Sequence, residues 1–169
     1  LFLWTALNAL FLTADIFNLY VTLELLGFAA ATLVALAGGR AATAAALRYF
    51  LVGLSGSLLY LMGVAIAYAS TGTVDLALLA QRVQPGSASL AALALMTVGL
   101  LAKGALFPFH FWLPPAHANA PTPVSAALSA LVVKASFVIL VRLWLEAFPA
   151  VAGGLAAQAL GLLGAAAVL

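Results

Sequence analysis

Long stretches without a charged side chain dominate this sequence and limit the folds that it can adopt. No Asp, Glu, Lys or Arg occurs between Arg48 and Asp75, or between Arg82 and Lys103. Of the 169 residues, 67% are hydrophobic and 6% are charged, whereas roughly a quarter of the residues of a soluble domain are charged. A chain of this composition cannot build an ordinary water-facing surface. The composition therefore predicts an integral membrane protein with several helices in the lipid bilayer.

The same composition excludes other classes of protein and site. The formal net charge is only +2, which is too small for a nucleic-acid-binding surface, so we predict no nucleic-acid partner. The absence of cysteine removes disulfides and thiolate metal sites. Nothing in the sequence indicates binding of nicotinamide, flavin, iron–sulfur clusters or haem. We therefore predict no cofactor, no metal site, and no redox or hydrolytic chemistry in the chain itself.

Polar residues, prolines and glycines divide the chain into apolar segments. A helix needs about 20 mostly apolar residues to cross the hydrocarbon core of a membrane. We predict an all-α transmembrane helix bundle that forms one domain, residues 1–169. The predicted spans are residues 1–13, 16–37, 42–70, 90–109, 123–146 and 151–169. The first and last spans lie in apolar runs at the ends of the sequence, so we expect both to be incomplete.

Glu24, Lys103 and Lys134 are charged residues far from the ends of their predicted spans. A charge at the centre of a membrane helix costs at least ~2.5–3.5 kcal/mol, so each must face a partner or a hydrated cavity, or lose its charge. They could be ion pairs that fix helix packing. A proton relay explains them better, because one Glu leaves a second lysine whose burial favours the neutral amine. We expect the face shared by Lys134, Ala127 and Ala130 to pack against a neighbouring helix.

Helix-breaking residues interrupt the segment that follows Lys103. They are Gly104, Pro108, Pro114, Pro115, Pro121 and Pro123. Proline in a helix interior removes a hydrogen bond and clashes with the preceding turn, so the segment cannot be one continuous helix. It is also aromatic and apolar, and we expect a discontinuous helix around residues 103–121 that remains near the membrane. Transporters commonly place ion sites at such breaks, because unwound carbonyl groups become available there.

His110 and His117 lie within this broken segment. Histidine titrates near neutral pH, so either ring could give protons access to the buried lysines from the aqueous side. Alternatively, each ring could lie at the interface and form hydrogen bonds to the freed carbonyl groups. The two rings are poor metal or haem ligands, because Pro114 and Pro115 separate them and no Cys, Asp or Glu nearby completes a ligand shell.

Two motifs resemble a known family. The sequence AKGALFPFHFWLPPAHANAPTPVSAALSALVVKASFVILVRL, within residues 100–143, resembles the antiporter-like membrane subunits of respiratory complex I (NADH:quinone oxidoreductase), membrane-bound hydrogenases and Mrp-type cation/proton antiporters. The upstream sequence DIFNLYVTLELLGFAAATLVAL, residues 15–36, resembles the glutamate-bearing helix of the same family. The stretch FHFWLPPAHANAPTPVSA is most similar to the D-type member of the Mrp antiporters and its hydrogenase relatives.

The resemblance implies a fold and a set of roles. The fold would contain about fourteen helices in two inverted repeats, with this chain covering most of the first repeat. Glu24 would switch the proton affinity of Lys103, Lys134 would be the next relay, and His110 and His117 would occupy more variable polar positions. The implied activity is translocation of protons, or exchange of Na⁺ or K⁺ for protons, across a prokaryotic inner membrane.

The resemblance also implies partners. These are the other membrane subunits of the same complex, including homologous antiporter-like subunits. Two alternatives are a proton-pumping membrane subunit of a redox complex without a redox centre of its own, and a passive membrane scaffold.

Overall fold

The computed structural model describes residues 1–167, which form a bundle of α-helices. The helices are α1 (Phe2–Leu12), α2 (Ile16–Ala35), α3 (Gly39–Thr71), α4 (Leu76–Arg82), α5 (Ser87–Lys103), α6 (Leu113–Asn119), α7 (Thr122–Ala147) and α8 (Leu155–Ala166). Helices α2, α3 and α7 are long and apolar enough to cross a membrane, while α1 and α5 are shorter apolar helices. The predicted all-α transmembrane architecture is confirmed.

The ends of two predicted spans differ from the observed helices. The span predicted at residues 90–109 is a helix that ends at Lys103, because Gly104 leaves the helical conformation and Ala105 has a positive φ of 50°. Pro108, which has no N–H group to donate, then prevents the helix from resuming immediately. The span predicted at residues 151–169 begins as a helix only at Leu155. Its last two residues, 168–169, lie outside the described residues.

Two aspartates define the starts of α2 and α4. The carboxylate of Asp15 accepts hydrogen bonds from two backbone N–H groups in the first turn of α2, and Asp75 caps α4 through one such bond. These side chains satisfy donors that a helix start otherwise leaves free. Two backbone hydrogen bonds of 2.9 Å, from Ile16 to Val74 and from the residue after Asp75 to Ala14, join the two starts. The caps therefore also hold α4 against the start of α2.

Glycines allow α3 and α5 to pack backbone against backbone. A Cβ atom added at Gly56 of α3 would lie 2.7 Å from the carbonyl oxygen of Gly99 of α5. One added at Gly63 would lie 2.6 Å from the side chain of Met96. Small residues of this kind permit close approach of membrane helices. The close approach places Ser57, the neighbour of Gly56, beside Lys103 at the end of α5.

Candidate functional site

Glu24 of α2 and Lys103 of α5 meet inside the helix bundle. Nζ of Lys103 lies 2.6 Å from Oε1 of Glu24, which makes the contact both a hydrogen bond and a salt bridge. The side chain of Lys103 is only 9% exposed and that of Glu24 is 25% exposed. A charge in apolar surroundings is tolerated when an opposite charge is in contact with it. The structure thus brings together two of the three residues predicted to form a relay.

Ser57 of α3 is the third polar side chain at this contact. Its hydroxyl group donates a hydrogen bond to the carboxylate of Glu24 and accepts one from the ammonium group of Lys103. It also lies 3.1 Å from the carbonyl oxygen of Gly53, in the preceding turn of α3. Ser57 is completely buried. We call Glu24, Ser57 and Lys103 the Glu–Ser–Lys cluster, to which three helices contribute one residue each.

Ser57 was not among the residues predicted from the sequence. Serine carries no charge and commonly forms a hydrogen bond to its own helix backbone, so its position in an apolar helix was not informative. Neighbouring Gly56 was the available signal, because glycine at a membrane helix interface indicates where another helix approaches closely.

A small cavity adjoins the cluster. Its volume is about 10 Å³, roughly the space that one water molecule requires. It is lined by Glu24, Gly27, Phe28, Tyr49, Phe50, Gly53, Leu54 and Lys103. Gly27 keeps this space open, because a Cβ atom there would lie 3.5 Å from Nζ of Lys103. The cavity therefore offers a position for a water molecule beside the amine and the carboxylate.

The end of α5 is anchored by the broken segment that follows it. The indole N–H of Trp112 donates a 2.9 Å hydrogen bond to the carbonyl oxygen of Ala102, one of the carbonyl groups that a helix end leaves without a partner. The ring of Trp112 is buried and packs edge-on against Tyr49 of α3, with 4.8 Å between ring centroids. Trp112 therefore links the end of α5, where Lys103 lies, to α3.

The broken segment has the predicted form. A 3₁₀ turn, His110–Trp112, follows the irregular residues after α5 and leads directly into α6. Pro114 and Pro115 occupy the first turn of α6, and Pro123 occupies the first turn of α7. At these positions the missing N–H group of proline costs nothing. The prolines therefore lie where the short helix α6 and the long helix α7 begin, and the predicted discontinuous helix around residues 103–121 is confirmed.

The two histidines lie outside the Glu–Ser–Lys cluster. His110 is exposed, and its ring stacks on Phe107 with 6.0 Å between centroids. Nδ1 of the half-buried His117 lies 2.7 Å from Oγ of Ser125 at the start of α7. Within residues 1–167, neither ring forms a hydrogen bond with Glu24 or Lys103. Their part in proton access stays a prediction.

Lys134 is exposed on α7, as is Ala130 on the same face. Within the described part of the chain its amine has no salt-bridge partner. Within residues 1–167 no helix covers Lys134, so the packing of this face against a neighbouring helix stays a prediction. A π-helical turn, Leu128–Val132, lies just before Lys134 and changes the number of residues per turn. Residues before and after this turn therefore do not share a face in the way that a regular α-helix predicts.

Comparison with known proteins identifies the family. The chain matches the family model described as "NADH:quinone oxidoreductase/Mrp antiporter, TM" over residues 13–169. It is 42% identical over 134 residues to NADH-quinone oxidoreductase subunit N of Desulforudis audaxviator, a match covering 78% of this chain and 26% of that protein. It is 37% identical over 152 residues to the D subunit of a probable K(+)/H(+) antiporter of Rhizobium meliloti, a match covering 87% of this chain and 28% of that protein.

A solved structure shows the same fold. A chain of the membrane-bound sulfane sulfur reductase, an archaeal respiratory membrane complex, superposes with a TM-score of 0.88 at 33% identity, over 98% of this chain and 34% of that chain. The present chain therefore spans between about a quarter and a third of the length of these relatives. The resemblance noted from the two sequence motifs is confirmed. The chain belongs to the NADH:quinone oxidoreductase/Mrp antiporter transmembrane family, and it is part of an integral membrane protein.

Proposed function

We propose that this chain belongs to a membrane subunit that translocates protons, or exchanges a monovalent cation for protons, within a multisubunit assembly. The buried contact of 2.6 Å between Lys103 and Glu24 carries the proposal. An amine and a carboxylate in contact titrate as a coupled pair, and a proton moves between groups whose affinities for it are similar. Ionisable residues at membrane depth also commonly mark proton pathways.

The proposed roles follow from the chemistry of each group. Lys103 carries the proton, and Glu24 switches its affinity. While Glu24 is charged and in contact, the ammonium form of Lys103 is stabilised. When Glu24 takes up a proton or moves away, the amine is left in surroundings that favour its neutral form and releases its proton. The cavity beside both groups has room for one water molecule through which that proton can leave.

Lys134 is proposed as the next relay. The end of α5 lies against α7, because a Cβ atom added at Gly104 would lie 3.4 Å from Cβ of Ser136. Lys134 therefore belongs to the helix that contacts the residue after Lys103. Its exposed amine is available to residues of the longer relatives that this chain does not include. His110 and His117, on the segment between the two lysines, are proposed as access points for protons.

The relatives support the remaining parts of the proposal. One is named as part of a probable K(+)/H(+) antiporter, which supports a monovalent cation as the exchanged ion and other membrane subunits as partners, homologous antiporter-like subunits among them. Both named relatives are bacterial proteins, which supports a prokaryotic inner membrane as the location.

A second candidate function is the proton-pumping membrane subunit of a redox complex. The 42% identity to NADH-quinone oxidoreductase subunit N favours it. Both candidates use the same Glu24–Lys103 pair, and they differ in what drives it. Purification of the intact assembly separates them: peripheral iron–sulfur subunits copurify with a redox complex, whereas an antiporter contains none and is driven by an imposed Na⁺ or K⁺ gradient.

Mutation of the pair tests the proposal directly. In the full-length protein, assembled and reconstituted into vesicles, Lys103→Ala and Glu24→Ala should each abolish proton movement measured with an internal pH-sensitive dye. The matched control is Glu146→Ala, which removes an exposed carboxylate that pairs with the partly buried Arg142 on α7. That variant should transport at the parental rate. Survival of transport in both Lys103→Ala and Glu24→Ala would favour a passive scaffold instead.

A further inference from the structure

We infer that Ser57 is a positioning residue of the proton switch, holding the Glu24 carboxylate and the Lys103 ammonium in one geometry through a hydroxyl that both of them contact. The inference rests on the proposed function, because it assigns a role within the same pair. It adds a third helix, α3, to a switch otherwise built from α2 and α5.

The hydroxyl group of Ser57 has more acceptors than it can serve at once. A hydroxyl donates one hydrogen bond and can accept two. Here it accepts from Lys103, while the carboxylate of Glu24 and the carbonyl oxygen of Gly53 both lie within reach of its single proton. The charged carboxylate is the stronger acceptor. Protonation of Glu24 removes that preference, and the hydroxyl can then rotate towards Gly53 without any movement of a helix.

Other serines show that this arrangement is more than the usual back-bonding of a membrane helix. Ser55 and Ser70, also on α3, form hydrogen bonds to backbone carbonyl groups of their own helix, as serine commonly does. The hydroxyl of Ser57 lies within hydrogen-bonding distance of the Gly53 carbonyl oxygen in the same way and, in addition, contacts charged side chains of two other helices. A role in local backbone bonding alone does not require these additional contacts.

Burial makes the hydroxyl difficult to replace by water. Ser57 is 0% exposed, and the close contact of Gly56 with Gly99 closes the space between α3 and α5 next to it. The small cavity beside the pair is lined by Glu24 and Lys103 but not by Ser57. Removal of the hydroxyl would therefore leave the carboxylate with one donor fewer and the ammonium with one acceptor fewer. Hydrogen bonds to charged groups are the most costly to lose.

Three variants of the full-length protein test the inference in reconstituted vesicles, with rates normalised to the amount of assembled protein. Ser57→Ala should slow proton movement roughly tenfold or more, because it removes the hydrogen bonds of the hydroxyl to two charged groups. Ser57→Thr retains a hydroxyl and should restore most of the rate. Ser55→Ala is the matched control: it removes an exposed hydroxyl from the same helix and should transport at the parental rate.

An infrared measurement provides a readout that does not require transport. In pH-induced difference spectra of the solubilised protein, the carboxyl band of Glu24 is identified by its loss in Glu24→Gln. That band should shift in Ser57→Ala, because the carboxylate loses a donor, and should not shift in Ser55→Ala. An unshifted band in Ser57→Ala would overturn the inference even if that variant assembled poorly.

Two transport results would also overturn it: a parental rate in Ser57→Ala, or a rate in Ser57→Thr as low as in an equally well assembled Ser57→Ala. Lys103→Ala, measured in parallel, separates this inference from the proposed function. If Lys103→Ala still transports, the proposed function fails whatever Ser57 does. If Lys103→Ala is inactive while Ser57→Ala is fully active, only the role of Ser57 is wrong.

Discussion

The described residues contain two salt bridges, one within a single helix and one between two helices. Arg142 and Glu146 lie four residues apart on α7, with 3.1 Å between their charged groups and side-chain exposures of 22% and 55%. Glu24 and Lys103 are 79 residues apart, lie on different helices and are largely buried. The first pair lies within one helix, across the π-helical turn Leu143–Ala147. The second pair exists only when α2, α3 and α5 are packed correctly.

This difference indicates which pair can have a function. An exposed ion pair contributes little to stability. A buried pair is in surroundings where a small displacement changes the interaction strongly, because there is little solvent to compensate. The Glu24–Lys103 pair is therefore the one that we propose to couple protonation to helix packing.

The largest expected difference between the two pairs is in stability. Glu24→Ala leaves the amine of Lys103 buried without a carboxylate, and we expect it to lower the free energy of unfolding by about 3 kcal/mol. Glu146→Ala breaks the exposed pair and should lower it by at most about 1 kcal/mol. Thermal or denaturant unfolding of the full-length protein in detergent measures both. Equal effects of the two substitutions would show that the buried pair is not distinguished by its surroundings.

The packing of α3 against α5 should also affect the Glu24–Lys103 pair, with a smaller loss of stability. Gly56→Ala introduces a methyl group 2.7 Å from the carbonyl oxygen of Gly99, which is backbone and cannot move without shifting α5. We expect a loss of about 1–3 kcal/mol of stability, together with slower transport, because α5 carries Lys103. The exposed Arg142–Glu146 pair lies on α7 and should be unaffected.

Gly53→Ala provides the matched control for this substitution. Gly53 lies on the same helix, one turn before Gly56, and a Cβ atom added there has no heavy atom of a neighbouring residue within 4 Å. Alanine also forms helix better than glycine, so Gly53→Ala should be neutral or slightly stabilising. Equal stability of the Gly53→Ala and Gly56→Ala proteins would contradict the close packing of α3 against α5.

The parts of the site that could be predicted from sequence are those that depend only on which residues occur within one segment. Glu24 and Lys103 were identified because a charge within an apolar segment needs a partner, and the discontinuous helix was identified from its prolines. Ser57 could not be identified in this way. Its importance depends on side chains of two other helices, and an uncharged serine in an apolar segment does not indicate which helices approach it.

The predictions that failed concern local departures from regular helix geometry. Hydrophobicity placed the end of one span at residue 109, whereas α5 ends at Lys103. Gly104 was recognised as a helix breaker, but the positive φ of Ala105 was not. The exposed side of α7 that carries Lys134 follows a π-helical turn, which no periodicity of the sequence reveals. Regular periodicity therefore placed the helices well, whereas the packing of the Lys134 face of α7 stays a prediction.

The smallest expected loss of stability is that of Tyr60→Phe. This substitution tests whether a buried contact between helices matters because it is charged or only because it joins two helices. The hydroxyl group of Tyr60 on α3 donates a 3.1 Å hydrogen bond to the carbonyl oxygen of Ile16 at the start of α2. This contact, like the Glu24–Lys103 pair, is buried and joins two helices, but it is uncharged. Tyr60→Phe keeps the buried ring and removes only this bond, so it should cost about 1 kcal/mol of stability.

Transport by the Tyr60→Phe protein decides how this comparison should be interpreted. If charge in buried surroundings is what matters, the variant should transport at nearly the parental rate, because the proposed proton carrier, Lys103, and its partner, Glu24, are unchanged. Tyr68→Phe, at a 56% exposed position on the same helix, should change neither stability nor rate. Loss of transport in Tyr60→Phe with only the small expected loss of stability would mean that any tertiary bond between α2 and α3 supports the switch. The charged pair would then not be its distinguishing element.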